Sequence, residues 1–204
     1  MNFKPSHRLD GIEISIIRQI NSLAKPSTIT LGIGQLPYMA PKPLIQAGIK
    51  AFENGVIQYT SNAGNSELRQ LIADEHSAIY GTAATQEEVI VTTGVEEALS
   101  IIFAASLNPE DEVLIPEIYF SVYETLPKFY NAIPRAYRLN EDFGLELADI
   151  ESKINQKTKL IIINSPANPT GKVLGEIELV GLARVVDNHP SLYVVSDEVY
   201  SHLY

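Results

Sequence analysis

From residue 89 onward, short apolar runs rich in β-branched residues alternate with stretches of helical spacing, and this alternation limits the fold more than any other feature. The runs fall at 89–93, 112–116, 133–139, 160–164 and 192–196, and each reads as a strand. Helices are predicted over 95–106, 121–130, 147–154 and 176–188, although Pro127 sits awkwardly in the second. Strands joined through helices make right-handed crossovers. The predicted architecture is therefore α/β: a three-layer α/β/α fold around a mostly parallel sheet.

The first part of the chain lacks this rhythm. Ile12, Ile16, Ile20 and Leu23 recur at helical spacing within 10–24, and helices are also predicted over 42–54 and 67–80. Residues 28–43 are rich in Gly and Pro and read as an irregular extended segment. The chain stops at Tyr204, just after the fifth predicted strand and without a stop signal, which leads us to expect a truncated sheet.

Composition removes several function classes. Asp and Glu number 25 against 15 Lys and Arg, for a net charge of -10, so a phosphate-neutralising surface for nucleic acid is not expected. There are no cysteines, which excludes disulfides and thiolate chemistry, and the four histidines share no metal-ligand spacing. No metal site is expected. No long apolar run suggests a signal peptide or membrane span, and a cytoplasmic location is expected. Gly32-Ile33-Gly34 continues as Gln35-Leu36-Pro37, so there is no dinucleotide fingerprint. Gly171-Lys172 lacks the flanking residues of a P-loop, and no G-x-S-x-G elbow occurs.

Ligands of open α/β sheets bind at the carboxyl ends of the strands, so chemistry was sought there. Gly94 opens a strand-to-helix turn whose amides could hold a phosphate, or it simply permits a tight turn. Tyr119, Phe120 and Tyr123 follow the next strand, where an aromatic ring could stack on a flat ligand or belong to the core. Asn168 lies in Asn164-Ser165-Pro166-Ala167-Asn168-Pro169-Thr170-Gly171, a turn stiffened by two prolines. Asp197 closes an apolar run in Ser196-Asp197-Glu198-Val199-Tyr200, where a carboxylate needs a cation or several donors unless it caps a helix.

Four such sites in one order on four strand ends resemble the class I/II aminotransferases of the aspartate aminotransferase superfamily, the fold-type-I enzymes that use pyridoxal 5'-phosphate (PLP). The resemblance covers nearly the whole chain. It includes Leu31-Gly32-Ile33-Gly34, Tyr59-Thr60-Ser61-Asn62-Ala63-Gly64 and Leu68-Arg69, and is strongest over 165–171 and 196–200. It implies that Asp197 pairs with the protonated pyridine nitrogen of PLP, keeping the ring an electron sink. Asn168 and Tyr200 would hydrogen-bond the cofactor's phenolate oxygen. Gly94, Val95 and Glu96 would form the phosphate turn. Phe120 would stack on the ring, with Tyr119 as the alternative. Tyr59 would reach the phosphate of a partner subunit, implying a homodimer, and Gly34 would contact the substrate carboxylate.

By the same resemblance, residues 1–45 would contribute to the small domain of the complete enzyme and 46–204 to part of its large PLP-binding domain. The substrates would be an amino acid and a 2-keto acid. Two departures stand out. Glu96 places a carboxylate where the family often has a small or hydroxylated residue, so it must turn away from a bound phosphate. The family's Schiff-base lysine lies beyond Asp197, whereas all nine lysines of this chain precede it. This N-terminal fragment alone is therefore expected to be inactive, losing roughly 10²–10⁴-fold from proton transfer in addition to the covalent step. Other activities on this fold are a C–S lyase, a cyclopropane-carboxylate-synthase-like enzyme, or a non-catalytic PLP-fold binding module.

Overall fold

The computed structural model describes residues 4–29, 32, 34, 38–56 and 58–203. Contacts separate them into two compact units, one of residues 4–13 and 93–203, the other of 14–92. The predicted boundary at residue 45 concerned the complete enzyme and is a different division from this one. Leu31 and Ile33, which entered the family resemblance, lie outside the described residues.

The larger unit is built on four strands, β1 (Glu112–Pro116), β2 (Ile133–Tyr137), β3 (Thr158–Asn164) and β4 (Tyr193–Asp197). All pair in parallel, in the order β2-β1-β3-β4. Helices make the crossovers: α5 (Val122–Phe129) from β1 to β2, α6 (Leu147–Lys153) from β2 to β3, and α7 (Glu176–Asp187) from β3 to β4. α4 (Val95–Ser106) precedes β1.

Alternation along the strands sends side chains to two faces. Leu114, Ile161 and Ile163 join Tyr137, Ile150 of α6 and Leu182 and Val185 of α7. Val113, Ile115, Leu160 and Ile162 join Leu99 and Phe103 of α4 and Tyr123 of α5. The sheet is thus covered on both sides, which explains why its central strands read as continuous apolar runs rather than as alternating ones. Gly181 permits the packing of α6 on α7, because a Cβ there would strike Leu147. Pro127 is accommodated near the end of the short α5, fully buried, with its carbonyl accepting from the Tyr130 and Ala132 amides.

The smaller unit carries α1 (Ile16–Ser22), α2 (Lys42–Glu53), α3 (Ser66–Tyr80) and a short 3-10 turn at Gln86–Glu88. Asn65 caps α3 by accepting from the Leu68 amide, and Gly81 ends it in the left-handed conformation. The Arg69 guanidinium ties α3 to the 86–88 turn through the carbonyls of Val89 and Gln86.

One predicted strand is absent. Residues 89–93 form no ladder, and the Val91 amide instead donates to the Ala63 carbonyl at 2.9 Å. The run has strand-forming composition, but a strand also needs a neighbour to pair with, and the sheet of this chain begins at β1. The remaining predicted elements match to within a few residues, except that the first helix is restricted to Ile16–Ser22.

Candidate active site

The strand order reverses direction between β1 and β3, the place where open α/β sheets leave a crevice at their carboxyl ends. There β3 and β4 finish in register, with Asn164 opposite Asp197. Both are polar residues ending apolar strands, and both are buried, at 8% and 7% exposure. Asn164 donates from Nδ2 to the Asp197 carbonyl at 2.9 Å and accepts at Oδ1 from the Asn168 amide at 2.7 Å. One side chain therefore joins the end of β4 to the turn bearing Asn168. That turn is closed by the Ala167 amide on the Lys172 carbonyl and the Gly171 amide on the Ala167 carbonyl, both at 2.8 Å.

The Asp197 carboxylate is held by two donors. The Tyr123 hydroxyl donates to Oδ2 at 2.6 Å and the Val199 amide to Oδ1 at 3.2 Å. Such donors make a buried carboxylate tolerable. Burial, and then the hydrogen bond to Asp197, push the Tyr123 phenol up, so it remains a donor. Asn168 Nδ2 lies 3.4 Å from the Tyr200 hydroxyl, a long hydrogen bond that places amide and phenol side by side.

These groups line a cavity of ≈ 200 Å³. Asp197 and Tyr200 come from the end of β4, Asn164 and Asn168 from the end of β3, and Phe120 and Tyr123 from the segment after β1. Val95, Glu96 and Leu99 of α4 complete it. Gly94 occupies the N-cap position of α4 with φ of 87° and no side-chain cap, a conformation that suits glycine. The Thr93 amide is taken by the Glu97 carboxylate. The amides of the first helical turn lack intrahelical acceptors and carry the positive end of the helix dipole.

The cavity thus offers a fixed carboxylate, a helix N-terminus, and an aromatic side chain, Phe120. This donor set fits a flat ring with a protonated nitrogen and an anionic substituent. Glu96 is the discordant element, since it adds a carboxylate to the helix end of the wall.

Six of the residues selected from the sequence meet here: Val95, Glu96, Phe120, Asn168, Asp197 and Tyr200. Gly94 caps the helix that contributes two of them. Phe120 rather than Tyr119 faces the cavity, because the Tyr119 hydroxyl donates to Glu124 at 2.7 Å. That hydrogen bond, followed by burial, pushes the Tyr119 phenol up to about 12. Tyr59 and Gly34 belong to the other compact unit, where both are exposed. Sequence reasoning missed Asn164 as part of the site, and quoted Tyr123 only as an aromatic that could stack or belong to the core, without its contact to Asp197. Asn164 had a usable signal, being like Asp197 a polar residue ending an apolar strand. The contact of Tyr123 with Asp197 had none, because the two lie 74 residues apart.

Comparison with known proteins decides the family. The profile of aminotransferase class I and II matches residues 26–204. The chain belongs to the class I and II aminotransferases. A probable aspartate aminotransferase of Methanocaldococcus jannaschii is 38% identical over 198 residues, 97% of this chain and 52% of that protein. An aspartate aminotransferase of Sulfurisphaera tokodaii is 37% identical over 191 residues, covering 92% and 47%. Among solved structures, the aspartate aminotransferase of Rhizobium meliloti superposes with a TM-score of 0.94 at 29% identity, over 99% of this chain and 52% of that one. An alanine aminotransferase of Pyrococcus furiosus gives 0.88 at 32%, covering 97% and 52%. The chain spans about half the length of the curated aminotransferases it matches. No helix among the described residues is long and apolar enough to cross a membrane.

Proposed function

We propose that this chain forms the cofactor-ring half of a PLP-dependent aminotransferase, which moves an amino group between an amino acid and a 2-keto acid. The observation that carries the reading is the buried Asp197 carboxylate in one cavity with Phe120, Asn168 and Tyr200. When bound, PLP supplies an electron sink for the charge that develops at the substrate α-carbon.

The chain's own residues divide the work of holding it. Asp197 accepts from the ring nitrogen and keeps its proton in place, since an adjacent carboxylate favours the cationic form. Phe120 packs against the ring face. Asn168 and Tyr200 donate to the ring oxygen and orient the ring in its plane. The first-turn amides of α4, at Val95 and Glu96 behind Gly94, receive the phosphate. Tyr59 would serve the phosphate of a second subunit in a homodimer, and Gly34 the substrate carboxylate. No lysine is among the residues lining the cavity, so within this reading the Schiff-base lysine comes from elsewhere in the complete enzyme. The similarity to aspartate aminotransferases makes an acidic amino donor the first choice to assay.

Equilibrium dialysis of the chain against PLP, with circular dichroism at the cofactor absorption band, tests the reading. Saturable one-to-one binding with an induced signal is expected. Asp197→Ala should weaken it about 30- to 100-fold, the loss of a charge-assisted hydrogen bond. Binding that is nonsaturable, or unchanged in that variant, removes the proposal.

A further inference from the structure

Among the described contacts of the cavity, the buried link between the side chains of Tyr123 and Asp197 is one that the proposed function does not use. Tyr123 stands in the first turn of α5, is 1% exposed, and reaches the end of β4. We propose that Tyr123 is a positioning residue: its hydroxyl holds the Asp197 carboxylate in one rotamer, so that the carboxylate meets the cofactor's ring nitrogen without reorganising. This rests on the reading of Asp197 as the partner of that nitrogen.

Geometry supplies the argument. The hydrogen bond is short, at 2.6 Å, and is enclosed. A phenol facing a carboxylate in such surroundings gives its hydrogen in one direction only. The Val199 amide fixes the other oxygen at 3.2 Å. A carboxylate has about four lone-pair positions, so two donors set its orientation and still leave room for a third from a ligand. Tyr123 is itself fixed, because its amide donates to the Phe120 carbonyl at 3.0 Å. Its ring meets that of Phe120 edge to face, with centroids 6.2 Å apart and planes at 86°. One buried side chain thus braces both the group under the ring face and the group at the ring nitrogen. A residue serving only the core needs the aromatic ring but not the hydroxyl.

The test uses the full chain with PLP labelled with ¹⁵N in the ring. In the wild-type protein the bound nitrogen should resonate as pyridinium. Tyr123→Phe, which keeps the packing, should bind PLP about tenfold more weakly, with the resonance displaced toward neutral pyridine. A folded Tyr123→Phe chain that matches wild type in affinity and resonance overturns this inference and leaves the proposed function intact. A wild-type chain that takes up no PLP overturns both. If Tyr123→Phe does not fold, 3-fluorotyrosine at position 123 provides the second variant, a more acidic phenol of nearly the same shape. The side-chain carboxyl ¹³C signal of Asp197 in the cofactor-free chain must then move, and a signal that stays in place overturns the inference.

Discussion

The two compact units meet the demand for a core in different ways. In residues 93–203 the central strands β1 and β3 hide apolar side chains on both faces, and Val113, Leu114, Ile161 and Ile162 are fully enclosed. Among the described residues of 14–92, only Ala73 is buried. α2 shows the contrast best. Ile45, Ile49 and Phe52 repeat at helical spacing, yet all are exposed. An apolar stripe reports that a helix has a face to cover, and burial depends on whether the chain supplies the cover. The sheet supplies it in the larger unit. In the smaller one, order rests more on local devices: the Asn65 cap, the Gly81 terminus and the Arg69 guanidinium on two carbonyls.

The most direct way to break this contrast is to remove the same atoms from each unit. Ile162→Ala opens a void between β3 and the helices α4 and α5, and should cost about 2–5 kcal/mol. Ile49→Ala removes an exposed side chain and should stay within about 0.5 kcal/mol. Urea unfolding followed by far-ultraviolet circular dichroism measures both. Comparable losses would mean that Ile49 is covered in solution.

Acid should separate the units next. Burial works to raise the carboxyl of Glu112, but hydrogen bonds from Arg135 and Asn155, both at 2.7 Å, and the charge of Arg135 outweigh it and hold Glu112 below its ordinary range. Glu178 behaves alike: burial is outweighed by the amides of Gly175 and Leu145 and by Lys172. A carboxyl depressed in the folded state stabilises fully above its unfolded value of 4.5, and that contribution is lost as pH falls through the lower folded value. Both groups belong to the larger unit, which should therefore weaken below about pH 4.5. The depressed carboxyl of the smaller unit, Glu88, is exposed and screened by solvent. Glu112→Gln should lower stability near neutral pH by about 1–2 kcal/mol and flatten the acid dependence. An unchanged slope in acid titrations of the variant would remove Glu112 from the explanation.

How far the sequence could be read follows the same division. The four strands and the helices between them were legible because each apolar run is bounded by turn residues and returns through a helix to the same sheet. Residues 89–93 carried the same composition and misled, since composition cannot show whether a partner strand exists. In the site, Asn168 was visible in a turn stiffened by two prolines and Asp197 as a carboxylate closing an apolar run, while the role of Tyr200 came from the family resemblance alone. The choice of Phe120 over Tyr119 came from the family resemblance, and the structure adds a physical reason, which is that Glu124 captures the Tyr119 hydroxyl. The Tyr123–Asp197 bond was not legible. Both residues were quoted, but only the fold brings α5 to the end of β4.

The smallest expected effect tests whether the helix end in the larger unit is tuned for a ligand. Glu96 and Glu97 stand in the first turn of α4, and Glu67 in that of α3 in the smaller unit. A carboxylate at either place stabilises its helix by about 0.3–1 kcal/mol through the dipole, so Glu96→Gln and Glu67→Gln should cost similar, small amounts of stability. Their effects on PLP binding should differ. Glu96 lines the cavity, and its charge opposes a phosphate at the same helix end, so Glu96→Gln should tighten PLP about two- to fivefold at low salt. The gain should shrink as salt screens the repulsion. Glu67→Gln should leave affinity unchanged. Equal affinity changes in the two variants would show that the effect is one of net charge, and that the positive end of α4 does not receive the anion.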